Sequence, residues 1–231
     1  MDIILVPGLW LDASSWDPIL PALRDAGHRP VALTMPGVGT PAPGSSDVGI
    51  EDWVAATVAA IDAADGPVVV VGHSGGGNVA WGAADARPDR VRRVVLVDTA
   101  PPPSGSGISE FAVVDGVIPF PGWDFFDADD VADLDEETRA RTAPLMRSVP
   151  ARVPTDGIVL GDQRRYGIPV SLLMGGLTQE EFEGFLAQWG SYGDEYRAIR
   201  DVEVVRIGSG HWPQFSAPTR LAELLVAAVD R

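Results

Sequence analysis

Cysteine and lysine are both absent from the 231-residue chain: all 17 basic residues are arginine. Without thiols there is no cysteine nucleophile, no disulfide and no sulfur-ligated metal. Without lysine there is no Schiff base, no pyridoxal-phosphate anchor and no P-loop lysine. Positive charge is scarce altogether. The 17 arginines face 33 acidic residues, a formal net charge of −16. Nucleic acid is therefore not an expected partner, because phosphate binding needs a basic face, and anionic membranes and highly anionic substrates are disfavoured on the same ground. Long apolar runs are missing too: none approaches the roughly 18 residues of a membrane span. No positive n-region precedes the first apolar segment, as a secretory signal would require. The expectation is a soluble, cytoplasmic protein with neither metal nor organic cofactor.

What is present is an ordinary globular composition, 45% hydrophobic and 22% charged, enough for one large domain or two small ones. Short apolar runs at 3–6, 31–33, 68–71, 94–97, 170–174 and 202–207 read as strands, most of them apolar at every position, as parallel strands buried on both faces require. Between them, Ile50, Trp53, Val54, Thr57, Val58 and Ile61 recur at the spacing of a helix face, and Leu221, Leu224, Leu225, Ala228 and Val229 do so again after Pro218. This alternation predicts an α/β fold: a mostly parallel sheet with helices on both faces. Residues 100–166 break the rhythm. They open on Pro101-Pro102-Pro103-Ser104-Gly105, carry an acidic run over 124–137, and hold Phe111, Phe120, Trp123, Phe125 and Phe126. So long an excursion between sheet strands, with its own aromatics, predicts a folded insertion with a helix over 136–149. The core is then expected over 1–99 and 167–231.

The strongest local signal is Gly72-His73-Ser74-Gly75-Gly76, directly after four valines and before a helix-like segment. A side chain presented from a sharp strand-to-helix turn needs tiny neighbours at −2 and +2, here Gly72 and Gly76. The following helix would direct N–H groups and a positive dipole end towards an anion beside Ser74. A serine hydroxyl is a poor nucleophile until a base takes its proton, and there are only three histidines to choose from. His73 should point away from Ser74 and bond locally. His28, in Asp25-Ala26-Gly27-His28-Arg29-Pro30, reads as a solvated loop residue. His211, in Gly208-Ser209-Gly210-His211-Trp212-Pro213, follows the last strand at the edge where parallel sheets place active groups. It is the candidate base.

The imidazolium needs a carboxylate to orient it. Asp98 ends its strand at the same sheet edge as Ser74; Glu180 and Glu181, after the 170–174 strand, are the alternative. Asp98 could instead bond loop amides, and the two glutamates could be first-turn helix charges. For a tetrahedral intermediate, the N–H of Gly75 and that of Leu9, in Val6-Pro7-Gly8-Leu9-Trp10, are the candidate oxyanion donors. Trp10 and Trp212, with the aromatics of the insertion, would form an apolar substrate wall or else serve as plain core.

These three segments, Pro7-Gly8-Leu9-Trp10, Gly72-His73-Ser74-Gly75-Gly76 and Gly210-His211-Trp212-Pro213, resemble the signature sites of the α/β-hydrolase superfamily. The resemblance covers nearly the whole chain, and it implies a cap formed by residues 100–166 over the site. The order Ser74, Asp98, His211 fits the family's nucleophile–acid–histidine order. The sequence departs from the pattern at two points. The first loop reads Pro-Gly where relatives commonly have His-Gly. Where many members carry the acid, after the 170–174 strand, the sequence has Thr178 or Gln179; that favours Asp98, since some branches place the acid one strand earlier. A serine nucleophile implies acyl transfer to water, hence hydrolysis of small, largely apolar carboxylic esters or lactones. Two other readings stand beside it. Gly75-x-Gly77-x-x-Ala80, with Asp98 about 20 residues on, mimics a dinucleotide-binding motif, though three residues intervene between strand and first glycine and His211 has no role. The chain could also be a non-catalytic binding protein of the same fold.

Overall fold

A computed structural model describes residues 1–231. Along the chain run β1 (Asp2–Val6), α1 (Leu20–Asp25), β2 (Arg29–Ala32), α2 (Ile50–Asp62), β3 (Val68–His73), α3 (Gly75–Ala86) and β4 (Val91–Val97). The next stretch holds a short antiparallel pair, β5 (Val117–Ile118) with β6 (Val149–Pro150), and two small helices, α4 (Ala128–Val131) and α5 (Glu136–Thr142). The main sheet then resumes with β7 (Val170–Met174), α6 (Gln179–Leu186), α7 (Ser191–Ala198), β8 (Val202–Arg206), α8 (Pro213–Ser216) and α9 (Pro218–Asp230).

Six strands form one sheet in the order β2-β1-β3-β4-β7-β8, and every neighbouring pair is parallel. The expected architecture is the observed one. Its cause is visible in how the apolar runs divide. Ile4, Val6, Val68, Val70, Val94, Leu96 and Leu172 bury into one core with Trp53 and Trp81 of α2 and α3. Their alternate neighbours Ile3, Leu5, Val69, Val71, Val95, Val97 and Leu173 bury into the other, against Leu23 of α1 and Leu221 and Leu225 of α9. Successive strand residues face opposite sides, so a strand apolar at every position must be covered twice. The order also places β3 and β4 side by side at the centre, which sets their carboxyl ends, and residues 74 and 98, next to each other.

Two expectations need correction at the level of the fold. The helix expected over 136–149 ends at Thr142: Pro144 has no N–H to bond back to Ala140, and a single 3₁₀ turn, Ala143–Leu145, leads towards β6. His28 is not solvated. The turn that carries it lands on the C-terminal end of α9, so its side chain is only 7% exposed and Nε2 lies 3.4 Å from Asp230 Oδ1.

A buried ion network ties the return from the insertion to the core. Arg165, between β6 and β7, donates from Nε to Glu195 of α7 at 2.8 Å and from Nη1 to Asp85 of α3 at 3.0 Å. Trp81 Nε1 and the Tyr166 hydroxyl also donate to Glu195, at 2.8 and 2.9 Å. The Asp85 carboxylate accepts the N–H groups of Gly161 and Asp162 as well.

Candidate active site

Ser74 sits alone between β3 and α3, at φ 52° and ψ −127°. A residue with a side chain reaches that region only under strain, which the surroundings must enforce. They do so through hydrogen bonds from the Ser74 N–H to Val97 O at 3.0 Å and from the Gly77 N–H to Ser74 O at 2.8 Å. The two flanking glycines are needed for room: a Cβ on Gly72 would run into the Gly76 carbonyl, and one on Gly76 into the carbonyl of Pro7.

On this turn the Ser74 hydroxyl donates to His211 Nε2 at 2.8 Å, and His211 Nδ1 donates to Asp98 Oδ2 at 2.6 Å. The three side chains come from the ends of β3 and β4 and from the loop after β8. Asp98 likewise has a positive φ, 50°, and its other oxygen accepts the Gly175 N–H at 2.7 Å. Burial pushes the Asp98 carboxyl up, but the hydrogen bonds from His211 and Gly175 and the nearby imidazoles outweigh it and hold the pKa below the usual range. Asp98 is thus kept as a carboxylate facing the imidazole. With both oxygens engaged it is poorly placed to hold a ribose, as the dinucleotide reading requires. Glu180 and Glu181 lie apart from this arrangement. Glu181 accepts from the N–H and hydroxyl of Thr178 in a capping box at the start of α6, and Glu180 is an exposed first-turn charge. After β7 the chain supplies a backbone donor, the Gly175 N–H, to Asp98.

His73 bonds across the fold and not locally: Nε2–H donates to the carbonyl oxygen of His211 at 2.7 Å. Complete burial, and then the proximity of His211, lower its pKa to about 3, so it is neutral there. The insertion also grips the histidine loop. The Gly210 N–H donates to Asp133 Oδ2 at 2.7 Å and the His211 N–H to Asp130 O at 2.9 Å. Neither bond was foreseeable, because nothing local to 130–133 marks a partner 77 residues away.

Leu9 and Gly75 meet beside the serine. Gly8 packs so closely that a Cβ there would lie 3.2 Å from Ser74 Cβ, and one on Gly75 would lie 3.1 Å from the Leu9 side chain. The Leu9 N–H has no acceptor in the protein, and the Gly75 N–H, opening α3, has none within its helix. Trp10 and Trp212 are buried, at 4% and 2% exposure. Trp10 stacks edge-on against Phe111, Phe120 and Phe126, and Trp212 against Trp123, Phe126 and His211. Both line a cavity of about 310 Å³ that contains Ser74, with Phe111, Phe125 and Phe126 of the insertion on its wall. A larger cavity of about 1090 Å³ shares Asp98, Thr99, Tyr192 and His211 with it. It runs out between Asp127, Asp129 and Asp130 and the side chains of Leu177, Phe185 and Trp189.

Comparison with known proteins bears on this geometry. A carbendazim hydrolyzing esterase from Nocardioides sp. (strain SG-4G) is 28% identical over 98% of this chain and 98% of its own. Lipase LipV of Mycobacterium tuberculosis (strain ATCC 25618 / H37Rv) is 42% identical over 106 residues, 42% of this chain and 40% of the lipase. Among solved structures, an extracellular alpha/beta-hydrolase from a Paenibacillus species, described as sharing structural and functional homology with tobacco salicylic acid binding protein 2, superposes with a TM-score of 0.78. It is 22% identical and the match covers 100% of both chains, a likeness of fold. The profile of the Alpha/beta hydrolase family matches residues 3–224. With that match and the parallel sheet in agreement, the chain belongs to the alpha/beta hydrolase family.

Proposed function

We propose that this protein is a serine hydrolase that cleaves carboxylic esters or lactones of small, largely apolar substrates through an acyl-enzyme intermediate. The observation that carries the reading is the unbroken hydrogen-bonded chain from Ser74 to His211 to Asp98, at 2.8 and 2.6 Å. The esterase and lipase among the relatives support it.

The positions of the atoms support the following steps. Ser74 Oγ attacks the carbonyl carbon while His211 Nε2 takes its proton. The developing oxyanion accepts from the N–H groups of Leu9 and Gly75, which are fixed before the reaction begins. Asp98 holds His211 in the tautomer that leaves Nε2 free to accept, and stabilises the imidazolium once it forms. His211 returns the proton to the leaving alkoxide. It then takes a proton from water, which attacks the acyl-serine; collapse of that second intermediate releases the acid and restores Ser74. Residues 100–166 act as a cap, with Trp10, Trp212 and the insertion's phenylalanines as the apolar wall around the substrate.

The test is a screen of short activated esters and lactones with Ser74→Ala as control. Turnover by the native protein that Ser74→Ala abolishes is the expected result. Turnover that survives Ser74→Ala would assign the nucleophile elsewhere, and no turnover of any ester, with Ser74 unreactive towards a phosphonate, would favour a binding protein.

A further inference from the structure

Two residues that line the Ser74 cavity carry hydrogen-bond donors with no partner within the protein. Asn78, in the first turn of α3, lines the same cavity as Ser74. It is 5% exposed, and its Nδ2 donates to no protein acceptor. Trp10, 4% exposed, leaves Nε1 equally unbonded. Both residues line the cavity of about 310 Å³. A third unpartnered atom there, His73 Nδ1, is closed off by Gly8, where a Cβ would lie 2.6 Å from it. Buried donors cost stability when left unpaired, so each exception calls for a cause, and an acceptor on a ligand is one. Trp10 carries a second mark: its φ is 63°, a conformation bulky residues avoid and one found at ligand clamps.

The ester-cleaving reading above, on which this inference rests, says which part of a substrate meets these donors. With the carbonyl carbon at Ser74 Oγ and its oxygen towards Leu9 and Gly75, the leaving oxygen must face His211 Nε2, which protonates it. Beyond His211 and Asp98 the cavity of about 1090 Å³ opens and gives the leaving group room. The acyl chain is then left the cavity of about 310 Å³, which Asn78 and Trp10 line. A hydrocarbon chain would leave both donors unpaired. We propose that Asn78, assisted by the Trp10 indole, is a specificity-determining residue that selects acyl groups bearing an accepting oxygen close to the carbonyl, so that esters of short alkoxy- or oxo-acids are preferred over those of plain alkanoic acids.

Phenyl methoxyacetate and phenyl butanoate test this, since their acyl chains are equally long and differ in one atom, oxygen or carbon. Binding of each to Ser74→Ala protein is read from tryptophan fluorescence, because Trp10 and Trp212 line the cavity. The preference for the methoxyacetate should fall about tenfold on adding Asn78→Leu, the scale of one hydrogen bond, and should fall also with Trp10→Phe. The Asn78→Leu protein should melt no lower than its parent, since no internal hydrogen bond of the Asn78 side chain is lost. A preference unchanged within about twofold in Asn78→Leu would overturn the proposal, whatever Trp10→Phe does. Phenol release by the native protein tests the other reading separately. If binding preference depends on Asn78 but neither ester is turned over, ester cleavage fails and the selectivity stands; turnover with no dependence on Asn78 sinks the selectivity alone.

Discussion

The Asp98 carboxylate shows how much one residue's surroundings decide. Its oxygens are divided between His211 and the Gly175 N–H, so Asp98→Asn keeps the shape but removes the charge that selects the His211 tautomer. A fall in kcat on the order of 10³–10⁴ is expected, with KM changed little; a near-native rate would return Glu180 or Glu181 to consideration. His73 makes a separate prediction about stability. Its folded pKa, about 3, lies below the ordinary histidine value of about 6.5. The unfolded chain therefore binds the extra proton first as pH falls. The stability His73 confers is complete above that ordinary value and drains away between there and pH 3, by up to about 1.4 kcal/mol per pH unit. Urea unfolding at pH 7, 6, 5 and 4 should show a shallower decline in His73→Gln than in the native protein. Parallel declines would mean that His73 is not held neutral.

Of these residues the sequence marked Ser74, His211 and Asp98, because each ends or follows an apolar run and the run fixes the sheet edge at which it emerges. It did not mark His73's partner. A hydrogen bond to a backbone carbonyl 138 residues on leaves no trace in local spacing. Leu9 was legible only through its place after β1, since a backbone N–H has no residue signature.

At the scale of elements, the periodic segments were the readable ones: β3, β7, α2 and α9 lie where their apolar spacing put them. The insertion was not readable in detail. Its aromatics announced a folded segment, but proline interrupts the helical spacing, and its role towards the histidine loop depends on contacts between distant segments. Those contacts carry a prediction. Asp133, just past α4, accepts the Gly210 N–H, so Asp133→Ala frees the loop that presents His211. Ester turnover should fall about tenfold in kcat, with KM within about twofold of native, as loss of orientation alone dictates. Asp133→Asn, which keeps an accepting oxygen, should recover most of it. If both variants behave alike, the bond does not position His211. The elbow makes a harsher demand: Gly76→Ala would force a Cβ into the Pro7 carbonyl, and the variant should lose phosphonate labelling of Ser74 even where circular dichroism shows the sheet intact.

For the molecule as a whole, two kinds of electrostatics act in opposite ways on stability, and salt separates them. With 33 acidic residues against 17 arginines, a net charge of −16, the folded state carries self-repulsion that counter-ions screen. Raising sodium chloride from about 10 mM to about 500 mM shortens the Debye length from roughly 30 Å to below 8 Å, and the melting temperature should rise. The Arg165 network obeys a different rule. Arg165, Glu195 and Asp85 are at most 8% exposed, beyond the reach of screening ions, and they link α3, α7 and the segment that re-enters the sheet. Arg165→Met would leave two buried carboxylates without their cation, at a cost of about 3–5 kcal/mol. Urea unfolding of native and variant protein at the two salt concentrations gives the decisive comparison. Both should gain stability with salt, and the difference between them should stay the same. A difference that shrinks as salt rises would mean that the network is solvated and that its ions, like the rest, belong to the surface.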